Sequence, residues 1–440
     1  MTALELRLRQ AMQPWRTASA WRIAFSGGLD SSVLLHLLAD WARHEPLPPL
    51  SAIHVHHGLQ PAGDAWPAHC ARVCVQLGIA LEVVRVQVTP GASLEQAARR
   101  ARYQAFCERL KPGQVLLSGQ HRNDQAETLL FRLLRGAGVR GLAAMSASRS
   151  LGQGGLFRPL LDSSRAELRE YAQSHGLVWI EDPSNADERF SRNFLRRQVM
   201  PLLAERWPQV TANIARSARH LGEAQQLLDE LAEMDLAAAR GVSACPWLAL
   251  PSLELSAVTA LSDARQRNLL RHWLAPLTRL PDSDHWAGWC DLRDASTDAA
   301  PIWKLADGEL HRADGRLWWL SGEWLRPLEP LDLACDSFSE LVELPDNGHV
   351  HLQGEMPQGR WHLRYRQGGE SLQVPGRGRR DLKRLLNERR VPLFVRSRLP
   401  LLFDGDELMA VANLTQEPGI EASGVRLHWS PPIGEQGLSW

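Results

Sequence analysis

Hydrophobic positions in the first 135 residues switch between two periods. Residues 21–26 (WRIAFS) read as a short buried strand, and a Gly-Gly pair follows. Residues 31–41 then place Val33, Leu34, Leu37 and Leu38 on one helical face. The alternation repeats: strand at 51–56, helix at 64–78, strand at 80–88, helix at 93–110, strand at 114–118, helix at 123–135. Strands separated by helices of this length predict a parallel sheet covered on both faces. Past Gly136 a Gly/Ser stretch loosens the pattern, which resumes with a helix near 163–175 and a short strand at 178–180 (VWI). Residues 189–240 read as almost wholly helical, broken by Pro201 and Pro208. Short alternating runs at 302–305, 309–313 and 316–320 predict a small sheet in a Trp-rich stretch.

Composition adds bounds. The 440 residues are 44% hydrophobic and 23% charged, an ordinary globular mixture that fits two to four domains. Fifty Lys+Arg balance fifty Asp+Glu, so any case for a nucleic-acid partner rests on local clusters. One such cluster spans residues 360–398, where twelve Lys/Arg face three acids, 12 − 3 = +9. Upstream, residues 223–263 carry seven acids against the single base Arg240. The six cysteines are scattered without a CxxC pair, the first residues lack an apolar signal core, and no apolar run approaches the roughly 18 residues that span a bilayer. A reduced, cytoplasmic protein without a membrane partner is expected. Three segments are expected: 1–205, 206–335 and 336–440.

The most informative segment is Ser26-Gly27-Gly28-Leu29-Asp30-Ser31-Ser32, where a strand ends and a helix begins. Open parallel sheets build their ligand sites at such places. Paired glycines let the backbone approach a ligand, and freed amides with three serine hydroxyls suit an anion. Asp30 fits a phosphate cradle if Mg²⁺ bridges it to the phosphates. The loop is neither a GxxxxGK[ST] nor a GxGxxG loop.

Three further clusters carry candidate chemistry. His54-Val55-His56-His57 follows the second strand; no carboxylate or cysteine lies nearby at a metal spacing, so a nucleotide-pocket or structural role is favoured over zinc. Arg99 and Arg102 share a helix side and suit a phosphate or carboxylate, although Glu95 can simply pair with Arg99 at i,i+4. In 118–128 (SGQHRNDQAET), Asp124 and Glu127 share one face of a first helical turn, where capping and the macrodipole alone favour acids. The alternative is that the pair holds an ammonium group or takes its proton.

SGGxDS resembles the loop of the PP-loop ATP pyrophosphatases, which implies attack at the α-phosphate with pyrophosphate held by the loop. An ordered set of further segments resembles the tRNA(Ile)-lysidine synthases of the longer, proteobacterial type: HVHHGL, with His56 where the family often has Asn; ExxARxxRY; His121, Asp124, Glu127 and Thr128 in HxxxDxxET; RGAGVRGL; and Arg158-Pro159-Leu160-Leu161. Asp182-Pro183-Ser184-Asn185, Arg192-Asn193 and Arg196 follow, and residues 365–402 match the C-terminal domain of those enzymes.

The resemblance implies a doubly wound parallel PP-loop catalytic domain (1–205), a helical linker and middle domain (206–335), and a basic α+β tRNA-binding domain (336–440). It implies ligation of L-lysine to C2 of the wobble cytidine of tRNA(Ile) with a CAU anticodon, converting decoding from AUG to AUA. ATP adenylates the C2 oxygen, because a ring carbonyl oxygen leaves poorly and AMP leaves readily. Residues 26–32 would then bind ATP, with Asp30 holding Mg²⁺. Arg99 would neutralise charge as pyrophosphate departs, and Asp124 or Glu127 would bind lysine and deprotonate its amine, whose pKa is about 10.4. Arg192, Arg196, Arg366, Arg377, Arg379, Arg380, Lys383 and Arg384 would bind tRNA, with Trp361 and Tyr365 stacking on bases. The oligomeric state stays open, a homodimer among the options. A thiolating PP-loop enzyme is disfavoured because Cys70 and Cys74 are expected on a helix distant from the loop. No glutaminase-like domain supports an amidating synthetase, and a non-catalytic nucleotide sensor would not need Asp124 and Glu127.

Overall fold

A computed structural model describes residues 1–59, 61–88, 94–281, 284–296, 299–334, 341–353, 359–374, 378–414 and 425–432. Two compact units result, Met1–Leu227 and Leu228–Ser439.

The first unit runs α1 (Ala3–Met12), β1 (Ala20–Ala24), α2 (Leu29–His44), β2 (Leu50–His56), α3 (Trp66–Leu77), β3 (Ala80–Arg85), α4 (Leu94–Arg109), β4 (Gln114–Leu117), α5 (Arg122–Leu133), α6 (Val139–Leu142), β5 (Ser148–Leu151), β6 (Gly154–Phe157) and α7 (Arg165–Ser174). The strands form one sheet in the order β3-β2-β1-β4-β6-β5, parallel throughout except for the β5–β6 hairpin. Trp21, Ile23, Val115 and Leu117 bury against Leu4, Leu34, Leu38 and Leu168 on one face. Ile53, Val84, Leu116 and Leu156 meet Ala105 and Phe106 of α4 on the other. Burial on both faces is why these strands are unbroken apolar runs. The chain leaves β1 in one direction through β2 and β3, then returns to β4 on the opposite side. The gap between the carboxyl ends of β1 and β4 is therefore the sheet's switch point, where such folds bind ligands.

Three expectations need correction. The Gly/Ser stretch after Gly136 holds the β5–β6 hairpin: Gly152 turns at φ +55°, and a Cβ on Gly154 would fall 2.5 Å from the Gln114 carbonyl oxygen, so glycine there serves close strand packing rather than a loop. Residues 178–180 form no strand; instead the Ile180 amide donates to the Gly27 carbonyl at 2.8 Å. Pro201 does not break its helix. The chain passes from α8 (Ser191–Phe194) through a π-turn (Leu195–Val199) into α9 (Met200–Arg206), with the Met200 amide donating five residues back to Leu195 and Pro201 sitting in the first turn of α9. Pro208 does separate α9 from α10 (Val210–Arg240).

The second unit contains an antiparallel sheet whose strands at Ile302–Lys304, Glu309–Ala313 and Arg316–Leu320 match the three alternating runs. The tryptophans around it are core: Trp273, Trp286, Trp289, Trp303 and Trp319 share one apolar cluster. A six-stranded sheet further on includes Trp361–Tyr365 and the edge strand Gly378–Asp381, followed by the helix Leu382–Glu388. Among the described residues, no helix is long and apolar enough to cross a membrane.

Candidate active site

The turn after β1 is shaped by its glycines. Gly27 has φ +84°, and a Cβ there would lie 2.7 Å from Ile180 Cδ1 and 3.1 Å from Cys70 Sγ. Gly28 is the extended N-cap of α2, so the helix starts at Leu29, two residues earlier than its apolar pattern suggests. The first amide to find an intrahelical partner is that of Ser32, on the Gly28 carbonyl at 3.0 Å. The amides of Leu29, Asp30 and Ser31 are therefore left at the positive end of a 16-residue helix. The hydroxyls of Ser26 and Ser31, 3.0 Å apart, brace the turn; the Ser31 hydroxyl also donates to the Gly28 carbonyl, and that of Ser32 to the Gly27 carbonyl.

Across the switch point, His121 is the N-cap of α5. Its Nδ1 accepts from the Asp124 amide at 3.4 Å, while its own amide donates to Asp124 Oδ2 at 3.1 Å. His121 Nε2 stands 3.5 Å from Asp30 Oδ1 and 3.5 Å from Asp124 Oδ2, so one buried imidazole links the glycine turn to the acid pair. Burial works against a charge on His121, but the carboxylates of Asp30, Asp124 and Glu127 outweigh it and raise its pKa. The closeness of the two loops needs Gly119, where a Cβ would lie 3.0 Å from the Asp30 carbonyl. His121 belongs to the sequence motif, which by itself gives it no role; its contact with Asp30 depends on the β1–β4 pairing, which a sequence does not display.

Asp124 and Glu127 do converge, and each meets guanidinium groups. Arg192 Nη2 lies 3.0 Å from Asp124 Oδ1, and Arg192 Nε lies 3.1 Å from Glu127 Oε2. Arg196 Nη2 is 3.1 Å from Asp124 Oδ1, with Arg196 Nε 2.7 Å from Glu127 Oε1. Burial would raise the Asp124 pKa, yet His121, Arg192 and Arg196 hold it below the ordinary carboxylate range. The two arginines expected to bind tRNA thus lie in the first unit with their charge turned onto the acid pair. Arg99 is exposed on α4, with its Cζ 4.8 Å from the Tyr103 ring centroid.

The histidines after β2 are only partly satisfied, since His54 Nε2, His56 Nε2 and His57 Nδ1 are buried without a hydrogen-bond partner. His54 Nδ1 donates to the Phe25 carbonyl at 2.9 Å, and His56 Nε2 lies 3.3 Å from Asp64 Oδ1. Cys70 is not distant from the turn as expected: its Sγ is 3.4 Å from His54 Nδ1, directly under Gly27. It is fully buried, and that burial pushes its thiol up to about 12, leaving no thiolate for sulfur chemistry.

In the second unit, Arg379, Lys383 and Arg384 are exposed. Arg380 and Arg384 share the Glu388 carboxylate, and Arg366 lies 3.4 Å from Glu370. Arg377 lies outside the described residues. Trp361 is only 5% exposed, its ring packed in the core, so it offers no stacking face. The buried Arg398 donates to the carbonyls of Asp346, Glu323 and Trp324, a structural use of part of the +9 charge.

Three family models match parts of the chain. Residues 1–203 match the model of a PP-loop domain, 253–318 that of a TilS substrate binding domain, and 361–429 that of a TilS substrate C-terminal domain. The tRNA(Ile)-lysidine synthase of Pseudomonas fluorescens is 64% identical over 99% of this chain and 98% of its own. That of Pseudomonas syringae pv. tomato is 62% identical with the same coverage, and that of Escherichia coli O157:H7 is 40% identical over 92% of this chain and 95% of its own. With that identity sustained from end to end, the chain belongs to the tRNA(Ile)-lysidine synthases.

Proposed function

We propose that this chain ligates L-lysine to C2 of the wobble cytidine of tRNA(Ile) bearing a CAU anticodon, using ATP and releasing AMP and pyrophosphate. The observation that supports the reading is His121 Nε2 at 3.5 Å from both Asp30 and Asp124, so that the glycine turn and the acid pair share one crevice.

In the first step the amides at the start of α2 and the Ser26–Ser31 pair hold the departing pyrophosphate. Arg99 neutralises charge developing on the phosphates as the C2 oxygen attacks the α-phosphorus. Asp30 Oδ1 is buried without a hydrogen-bond partner, which fits a divalent cation. Among the described residues no three metal-ligating side chains converge, so Mg²⁺ would rest on Asp30 and phosphate oxygens. When bound there, Mg²⁺ supplies positive charge to the leaving pyrophosphate.

In the second step Asp124 and Glu127 receive the lysine ammonium. Asp124, held ionised by His121 and the two arginines, attracts that cation but is a weak proton acceptor, which supports recognition as its role. Both carboxylates are already paired, so an incoming ammonium displaces a guanidinium. Arg192, with a side chain 36% exposed against 24% for Arg196, is the one that yields. Glu127 takes a proton from the ammonium, the neutral amine forms the C2–N bond, and the C2–O bond breaks as AMP leaves. The exposed cations Arg379, Lys383 and Arg384, with Arg366, Arg377 and Arg380, grip the tRNA backbone.

The test mixes ATP and Mg²⁺ with tRNA(Ile) and radiolabelled lysine. Label entering tRNA in step with pyrophosphate release is the expected result. Absence of lysine incorporation into any tRNA overturns the reading.

A further inference from the structure

Tyr103, on α4, is surrounded by guanidinium groups. Arg99 Cζ lies 4.8 Å from its ring centroid and Arg149 Cζ 5.2 Å, with Arg99 Nη2 3.4 Å from the phenol oxygen. Arg158, 5% exposed, also acts on Tyr103, and Arg132 lies close enough to Arg99 to feel its charge. Among the described residues, no ion pair joins Arg132, Arg149 or Arg158 to a carboxylate. Arg132 and Arg158 spend donors on backbone carbonyls, at Gly141 and Ala144 for one and Ser146 for the other. The Arg158 Nε is buried and has no hydrogen-bond partner at all.

Cations gathered without counter-charge, one of them buried, are costly unless an anion joins them. Burial favours the neutral Tyr103 phenol, yet the arginines around it pull its pKa down. Burial and the neighbouring Arg149 and Arg99 in turn push the Arg158 pKa down.

The location narrows the choice of anion. Arg158 directly follows β6, and Arg149 pairs with Leu156 near the same edge of the sheet. At about 4.8 Å per strand, β6 stands about 10 Å and β5 about 14 Å from β1. A diphosphate held at the Gly27 turn does not extend to both of these residues, whereas an RNA backbone carries a phosphate on each side of every base. We propose that Arg149 and Arg158, backed by Tyr103, hold a tRNA phosphodiester adjoining the reacting cytidine, anchoring the nucleotide beside β5–β6 while its base enters the crevice between β1 and β4. Guanidinium forks suit phosphate oxygens, and a ring behind them fixes their planes. The inference rests on the lysidine-forming reading.

The test uses Arg149→Gln, an exposed position outside the glycine turn and the acid pair. Anticodon stem-loop RNAs carry one neutral methylphosphonate at each loop linkage in turn, and binding is measured beside KM for ATP. The wild-type chain is expected to lose about tenfold in affinity at one linkage next to the target cytidine. Arg149→Gln should bind unmodified RNA about tenfold more weakly, with a salt slope reduced by about 1, ignore that particular methylphosphonate, and keep its KM for ATP. Equal sensitivity of variant and wild type at every linkage, or a raised KM for ATP with RNA affinity intact, overturns the proposal. Failure of the wild type to form lysidine would instead strike the assignment of the reaction, and the binding comparison would still decide the pocket.

Discussion

Arg196 grips Glu127 with two nitrogens, Nε 2.7 Å from Oε1 and Nη2 2.8 Å from Oε2, and Glu127 is only 2% exposed. A flat fork can do this and a lysine ammonium cannot. Arg196→Lys is therefore expected to cut kcat/KM for lysine by tenfold or more while tRNA affinity stays within about twofold, as steady-state kinetics and filter binding will read. Arg196→Ala leaves a buried carboxylate short of a partner and should cost about 3 kcal/mol in denaturant unfolding. Wild-type kinetics in Arg196→Lys would remove the pairing from the mechanism.

Asp30 offers the site a buried Oδ1 that has no hydrogen-bond partner and stands 3.5 Å from His121 Nε2. Asp30→Ala should abolish pyrophosphate release yet leave tRNA binding close to normal. Asp30→Asn, the same shape without the charge, should fail equally. Substantial turnover in Asp30→Asn would mean that the charge is not what the reaction uses.

Gly27 and Gly28 look equivalent in the sequence and are not. Gly27→Ala meets both a left-handed φ of +84° and a contact of 2.7 Å to Ile180 Cδ1, whereas the nearest atom to a Cβ on Gly28 is 3.5 Å away. Gly27→Ala should lose about 2 kcal/mol, together with most pyrophosphate release. Gly28→Ala should keep its stability within about 0.5 kcal/mol. Equal melting of the two variants would show that the turn relaxes around the methyl group.

Local chemistry was legible before the fold. The strand–Gly-Gly–helix junction, the acid pair three residues apart, and the alternation that builds a parallel sheet are all encoded within a few residues of one another. What could not be read depends on distant segments. His121 meets Asp30 only because β4 pairs with β1, and Cys70 lies under Gly27 only because α3 returns to that edge. Gly154 looked like a loop residue because its reason, the Gln114 carbonyl 2.5 Å from where a Cβ would stand, lies forty residues earlier in the chain. Charge counting misled in the second unit for the same reason: Arg398 and Trp361 add to a basic, aromatic pattern but are both buried.

Cys70, under the glycine turn, and Cys74, one helical turn further on, should both be inert. Burial pushes their thiols up to about 12 and about 11 from an ordinary 9.0. Iodoacetamide at pH 8 is expected to label the exposed Cys290 while sparing both in the native chain, as peptide mass mapping will show. A folded-state pKa above the unfolded one gives stability that is complete below about pH 9 and is lost as pH rises toward those values. Melting temperature should therefore start to fall above about pH 9, and less so in Cys70→Ala, which has no thiol to ionise on unfolding. Rapid native labelling of Cys70 would reopen sulfur chemistry at this site.

Glu388 sits between two cations of the second unit, with an Oε2 3.1 Å from Arg380 Nη1 and an Oε1 3.2 Å from Arg384 Nε. Both arginines would serve tRNA phosphates better without it, since an exposed ion pair contributes little stability and a phosphate must compete with the carboxylate. Glu388→Gln should thus bind tRNA(Ile) about threefold more tightly at moderate salt, with a salt slope steeper by up to about 1 and no change in KM for lysine. Lys383→Ala, removing an exposed cation from the same helix, should move affinity and slope the opposite way by a similar amount. The opposing signs matter: weaker binding in both variants would indicate damage to the helix, and no change in either would place the tRNA contact elsewhere in the second unit.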